Sequence, residues 1–354
     1  MAVIKIGNSG IKKMNKGISL LVGNIAYTPN FIAVGVGSNN VFIFPFYEGS
    51  YIEKVFPNTT SNMSFGYDVS WSPSGNNFIQ GGLSTPYVSV WPWNDSAGFG
   101  TKYANPATLP PSTTYSARFS PSGNDVAMGH SSSPEISAYS WSNGFGTKYA
   151  NPASLPTYIT VNSVRFSPSG NDIALANYYI PNLSAYRFTS GTGFGTKYAD
   201  PVGLPSGIAN GVAWSPSGNI VAHATDSSPY ISAYPFTSGT GFGTKYANPA
   251  ALPTGLGKSV AWSPSGNNIA VAHTTSPFIS VYPWSNGFGT KYANPATLPT
   301  GDGKSVAWSP SGNTIAVAHL TSPYLSVYKW SNGFGTKYVT PEFSTNNVFS
   351  VAFR

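Results

Sequence analysis

No cysteine occurs in the 354 residues, which excludes a disulfide framework and any cysteine-ligated zinc site. Charge is scarce as well. Asp, Glu, Lys and Arg make up 8% of the chain, against roughly 25% in an ordinary globular domain. Eleven acidic residues and four histidines leave little material for a carboxylate pair or a metal cluster. Long apolar runs are missing too. The apolar stretch at residues 18–22 is far too short to cross a bilayer, so no membrane insertion is expected. Residues 1–17 carry Lys5, Lys12, Lys13 and Lys16 but lack the apolar core and cleavage site of a secretory leader. Synthesis in a cytoplasm, without the standard export route, is the expectation.

What is present is aromatic and periodic. Aromatics reach 15%, and 38 glycines and 30 prolines sit at fixed places between short apolar runs, which marks turns rather than disorder. The phrase Ser72-Pro73-Ser74-Gly75 returns at Ser120, Ser167, Ser215, Ser263 and Ser309, and a weaker copy surrounds Pro29. The seven prolines stand 44 to 48 residues apart. A period of that size denotes a stacked array of one supersecondary unit.

The sixth copy displays the unit best. Ser259-Val260-Ala261-Trp262 reads as a strand and Ser-Pro-Ser-Gly-Asn as its turn. Ile269-Ala270-Val271-Ala272-His273 is a second strand and Phe278 to Trp284 a third. Asn286-Gly287 is a tight hairpin turn that leads into Phe288-Gly289-Thr290-Lys291-Tyr292. Both faces of the second strand are apolar, with small alanines opposite bulky neighbours, as radially stacked sheets require. The chain is therefore expected to be all-β, a seven-bladed β-propeller of four-stranded antiparallel blades over residues 22–354, after a non-repeat segment at residues 1–21. In the first copy, Val22 to Tyr27, Phe31 to Val34, Val41 to Phe46 and Tyr51 to Val55 are the expected strands. Phe349 to Phe353 matches a first strand with no copy behind it. A terminal strand must close the ring, since an open end leaves unpaired backbone, but two segments compete for one slot.

The phrase Val-Ala-Trp-Ser-Pro-Ser-Gly-Asn-Asn-Ile-Ala-Val-Ala-His resembles the WD40-like propeller family, over about residues 20–354. Third strands here end in Pro92-Trp93, Pro283-Trp284 or Lys329-Trp330 instead of Trp-Asp, so that family's buried bonding network does not transfer. The nearly verbatim Gly-Phe-Gly-Thr-Lys-Tyr-Ala-Asn-Pro phrase is similar to repeats of predicted tailed-phage proteins. Sugar-binding propellers of the tachylectin type resemble the chain in architecture.

Candidate chemistry is thin. The histidines at 130, 223, 273 and 319 fall in or just after second strands of different copies, too far apart around a ring for a metal, and read as satisfied blade-edge residues. The acidic residues show no facing pair, and the turn serines have no visible base. No phosphate loop or dinucleotide fingerprint occurs, so no cofactor is expected. The net charge of +7 includes six copies of one repeated lysine, spread around the ring, which argues against dedicated nucleic-acid binding. Two recurring sets remain as possible ligand or partner contacts. One comprises the third-strand tryptophans Trp93, Trp141, Trp284 and Trp330, where packing is weighed against stacking on a sugar. The other is the outer-strand pairs Lys102-Tyr103, Lys148-Tyr149, Lys197-Tyr198, Lys245-Tyr246, Lys291-Tyr292 and Lys337-Tyr338, a solubilising edge or a set of weak, multivalent contacts. The resulting expectation is a non-enzymatic binding or assembly propeller. In that reading it is a phage virion structural protein, assembled in the host cytoplasm and touching other virion proteins or a host-surface glycan. A soluble multivalent lectin and a cytoplasmic WD40-like interaction scaffold are the alternatives.

Overall fold

The computed structural model describes residues 20–22, 25–27, 30–36, 40–46, 56–57, 66–156, 160–340 and 348–354. Among these there is no helix. Seven antiparallel sheets are arranged as blades of a ring, each running outward in the order inner, second, third and outer strand. Blade 3 is representative, with Thr114–Phe119, Asp125–His130, Ile136–Trp141 and Phe145–Lys148. In blade 6 the outer strand shrinks to a single bridge between Trp284 and Phe288.

Local chemistry explains the hairpin at each inner strand's end. Pro73 presets the first turn angle, the Gly75 amide donates to the Ser72 carbonyl at 2.8 Å, and Gly75 takes a φ of 70° that a side chain would oppose. The Ser72 hydroxyl then accepts from the Asn77 amide at 3.0 Å, fixing where the second strand starts. Second strands are buried along their whole length. Their alanines and glycines let the next blade come close: a methyl group on Gly129 would collide with Val161 of the neighbouring inner strand. Serine hydroxyls stitch adjacent inner strands, with Ser116 accepting from the Val164 amide at 3.2 Å and Ser350 from the Val69 amide at 3.3 Å.

Ring closure falls to the C-terminal strand. Val348–Phe353 pairs antiparallel with Asn30–Val36, so blade 1 takes its inner strand from the far end of the sequence. The competing N-terminal segment is displaced: Leu20–Val22 and Ile25–Tyr27 pair, among the described residues, with each other, as a separate two-stranded sheet. Val348 and Val351 are buried in the seam with blade 7, which gives this strand the apolar contacts of an inner position. Phe56–Pro57 is the outer strand of blade 1, while the expected strand at residues 51–55 lies outside the described residues, as do residues 1–19.

One irregularity recurs in all seven blades. The register between inner and second strand slips between the inner strand's first and third residues, leaving the second residue as a β-bulge. In ring order from blade 1, the bulged residues are Phe349, Tyr67, Tyr115, Asn162, Asn210, Lys258 and Lys304, and each is only partly buried. A bulge twists the strand and re-aims the extra side chain.

Candidate functional site

The recurring residues are engaged in the walls of the ring. Trp93, Trp141, Trp284 and Trp330 are at most 9% exposed. Each meets the outer-strand phenylalanine edge-to-face, as in Trp141–Phe145 with ring centres 5.1 Å apart. The repeated tyrosine of the preceding blade completes the stack: Tyr103 on Trp141, Tyr246 on Trp284 and Tyr292 on Trp330, all within 5.1 Å. Where the third strand carries phenylalanine, Tyr149 meets Phe188 and Tyr198 meets Phe236. Tyr338 meets Phe46 of blade 1 at 5.3 Å. Four of these tyrosine hydroxyls donate back into their own blade, Tyr149 to Asp125 at 2.6 Å and Tyr198 to Asp172 at 2.5 Å, Tyr103 to Asn77 and Tyr292 to Asn268. Burial and the Asp125 carboxylate push the Tyr149 hydroxyl up to about 12.

The repeated lysines are tied locally. Lys102, Lys148, Lys245 and Lys291 each donate to the asparagine three residues on, Lys197 pairs with Asp200 at 2.6 Å, and Lys337 reaches the Leu298 carbonyl. Burial lowers the pKa of Lys102, Lys148, Lys245, Lys291 and Lys337. All four histidines are buried, and two of them are satisfied at both ring nitrogens. His130 donates from Nδ1 to the Ser132 carbonyl at 2.8 Å and accepts at Nε2 from Ser137 at 3.0 Å, and His319 repeats both bonds. His273 keeps the serine bond at 3.0 Å. His223 differs, for neither ring nitrogen has a hydrogen-bond partner among the described residues.

Different residues converge at the ring axis. At the Ser-Pro-Ser-Gly end the inner strands surround a funnel of about 630 Å³. Its wall mixes polar and apolar surface, with Trp71, Trp214, Trp262 and Trp308 around it. The fifth residue of each inner strand looks onto it, and there the copies diverge: Arg118 and Arg165 stand where blades 5, 6 and 7 carry Ala213, Ala261 and Ala307. Arg118 grips Asp68 with both terminal nitrogens, at 2.8 and 2.7 Å, and Asp68 also accepts from Ser350 at 3.0 Å.

Arg165 has no such carboxylate among the described residues. It donates to the Val164 carbonyl at 2.8 Å and to the Ser116 hydroxyl at 3.2 Å. The side chain lies deep in the molecule yet keeps part of its surface on the funnel. Burial, with the Arg118 charge alongside, pushes its guanidinium down to about 9. It is still a cation at neutral pH, and one whose surroundings favour an incoming negative charge. Reading for residues common to the copies passes over both arginines. The signal was available, since only these two blades break the alanine or serine pattern two residues before the turn proline's serine.

No family model matches the chain, and no curated protein does. Solved structures do. A candidate 6-phosphogluconolactonase from Bacteroides uniformis superposes with a TM-score of 0.71 at 15% identity, covering 92% of this chain and 99% of that one. A candidate 6-phosphogluconolactonase from Bacteroides fragilis gives 0.69 at 12% identity, with 92% and 98% covered. The periplasmic gluconolactonase of Pseudomonas aeruginosa gives 0.69 at 13%, with 92% and 99% covered. At such identities the likeness establishes the propeller fold. It also corrects the expectation of a non-enzymatic phage structural protein: these neighbours carry lactonase names, and none of them is a phage protein.

Proposed function

We propose that the chain is an enzyme-like propeller that opens a small sugar lactone in its axial funnel. One observation carries the reading: Arg165, without a carboxylate partner among the described residues, faces a cavity of about 630 Å³, the size of a small-molecule site. The names of the fold's neighbours supply the reaction class. In that reaction water adds to the lactone carbonyl and negative charge grows on the carbonyl oxygen. Arg165 stabilises that charge in a partly desolvated setting. The attacking water passes its proton to the solvent of the open funnel, whose mouth the Arg118–Asp68 pair flanks. The ring C–O bond breaks, the ring oxygen takes a proton, and an open-chain hydroxy acid leaves as its carboxylate. The tryptophans that line the funnel supply apolar surface for the C–H side of the sugar.

The test is acid release from gluconolactone and from its 6-phosphate at pH 7, above the spontaneous rate. The wild type should accelerate at least one of them. Arg165→Met should lower kcat/KM by about 100-fold, the typical loss of a group that stabilises the developing oxyanion. Circular dichroism checks that the variant remains folded. A wild-type rate no faster than buffer on both lactones overturns the reading.

A further inference from the structure

At the opposite end of the channel, about 10 Å from the funnel arginines by strand rise, the bulged side chains form a second ring, and its two halves differ. Three consecutive blades supply aromatics. Tyr67 lies 4.8 Å from Tyr115 and 5.8 Å from Phe349, measured between ring centres. Lys258 and Lys304 come from the adjacent blades 6 and 7, so most of the aromatic arc lies across the channel from them. Between the halves, Asn162 and Asn210 each spend their amide nitrogen on the next blade, donating to the Ala209 and Gly257 carbonyls at 2.9 and 2.8 Å.

Packing does not explain this arrangement. Seam residues such as Val164, Val212, Val260 and Val306 are buried and recur from copy to copy, whereas these seven range from aromatic to amide to cation and are all partly open. Neighbouring lysines also repel. Burial and then the Lys304 charge lower the Lys258 pKa, ahead of any help from Asp226 or Asp302. The acids are otherwise placed: Asp226 accepts from the Ile208 amide at 2.7 Å, and Asp302 stands 3.9 Å from Lys304.

We propose that this mouth is a binding site for a small ring compound bearing a phosphate or carboxylate, with Lys258 and Lys304 holding the anion and Tyr67, Tyr115 and Phe349 facing the ring. The inference is independent of the lactone reading, since it uses the other end of the channel and none of the residues assigned there.

The repeat supplies variants compatible with the fold, because blades 4 and 5 already carry asparagine on the same bulge. Calorimetric titration of the full chain with phenyl phosphate, glucose 6-phosphate and inorganic phosphate separates the parts. At least one ring phosphate should bind about tenfold tighter than inorganic phosphate, a difference of 1.4 kcal/mol. Whichever ring compound binds better identifies the aryl or the sugar acid as the ligand type. Lys258→Asn with Lys304→Asn should weaken it tenfold or more, and Tyr115→Asn should remove the ring's advantage while leaving phosphate affinity intact. Equal affinity for all three probes, no binding of any, or indifference to the lysine pair overturns the site. So does a loss caused by Arg165→Met alone, which would put the ligand in the funnel. Failure of lactone hydrolysis leaves the titration unaffected, so the two readings fail separately.

Discussion

The outer edge of the ring and its inner wall come from the same sevenfold repeat, yet they have diverged to different degrees. Six outer segments carry Phe-Gly-Thr-Lys-Tyr verbatim and do nearly the same work in each place: tyrosine on the next blade's third-strand aromatic and, in five of the six, lysine on the loop that follows it. The inner strands keep valine or alanine at the fourth position and an aromatic at the sixth, but change charge and size at the second and fifth, toward the channel. Identical neighbours need identical contacts, so uniformity is what seam packing demands. A ligand on the axis meets all seven blades at once and is shaped by their differences. In a ring of repeats, recurrence therefore marks structure and divergence marks the site.

This contrast breaks most easily at the seams. Trp141 is 5% exposed and meets Tyr103, Phe119 and Phe145, so Trp141→Ala should cost about 3–5 kcal/mol by chemical denaturation. An equally large loss from Tyr115→Asn, on the channel, would erase the distinction.

A smaller effect comes from the second strands. Burial holds His130, His273 and His319 down at about 4, and His223 at about 3. Above pH 6.5 these groups are neutral in both states and contribute no pH dependence. As pH falls from about 6.5 to 4 the unfolded chain takes up protons that the fold refuses, so stability must fall, by up to about 3 kcal/mol for each histidine, and level off below. Melting temperature measured across that range checks the sign. Asn177 occupies the histidine slot of blade 4 and meets the same third-strand serine position without a titrating ring, donating to the Pro181 carbonyl and the Ser184 hydroxyl. His130→Asn should accordingly flatten the acid slope while leaving stability at pH 8 nearly unchanged.

The smallest effect belongs to the rim lysines. Lys291→Ala removes one surface hydrogen bond to Asn294 and should change stability by no more than about 0.5 kcal/mol. A larger loss in the same denaturation experiment would mean that the outer loops carry more of the fold than their exposed contacts suggest.

Much of the architecture was legible because it depends on local rules repeated many times. Pro73, Gly75 and their equivalents announce each hairpin, and Ile269 to His273 shows by its small and large alternation that both faces are covered. The closing strand was legible only as a competition. Ile25–Tyr27 and Val348–Phe353 both look like inner strands, and the choice rests on long-range packing against blades 2 and 7, seen in Ser350 bonding Asp68 and Val351 bonding Ser305. The axial residues escaped notice for a different reason. Arg118, Arg165, Lys258 and Lys304 are unremarkable within their own copies, and their meaning appears only when the copies are laid side by side in a circle.

The origin of blade 1 has a consequence in time. Blades 2 to 7 are each written in one continuous stretch and can be assembled as the polypeptide emerges. Blade 1 must hold Asn30–Val36 and Asn40–Phe46 without their inner partner until residue 353 has left the ribosome, some three hundred residues later. Throughout that interval an unpaired strand edge faces the crowded surroundings of a growing chain, the condition under which sheets add strands from the wrong molecule. The emergence of Val348–Phe353 is thus also the step that withdraws this edge from its neighbours.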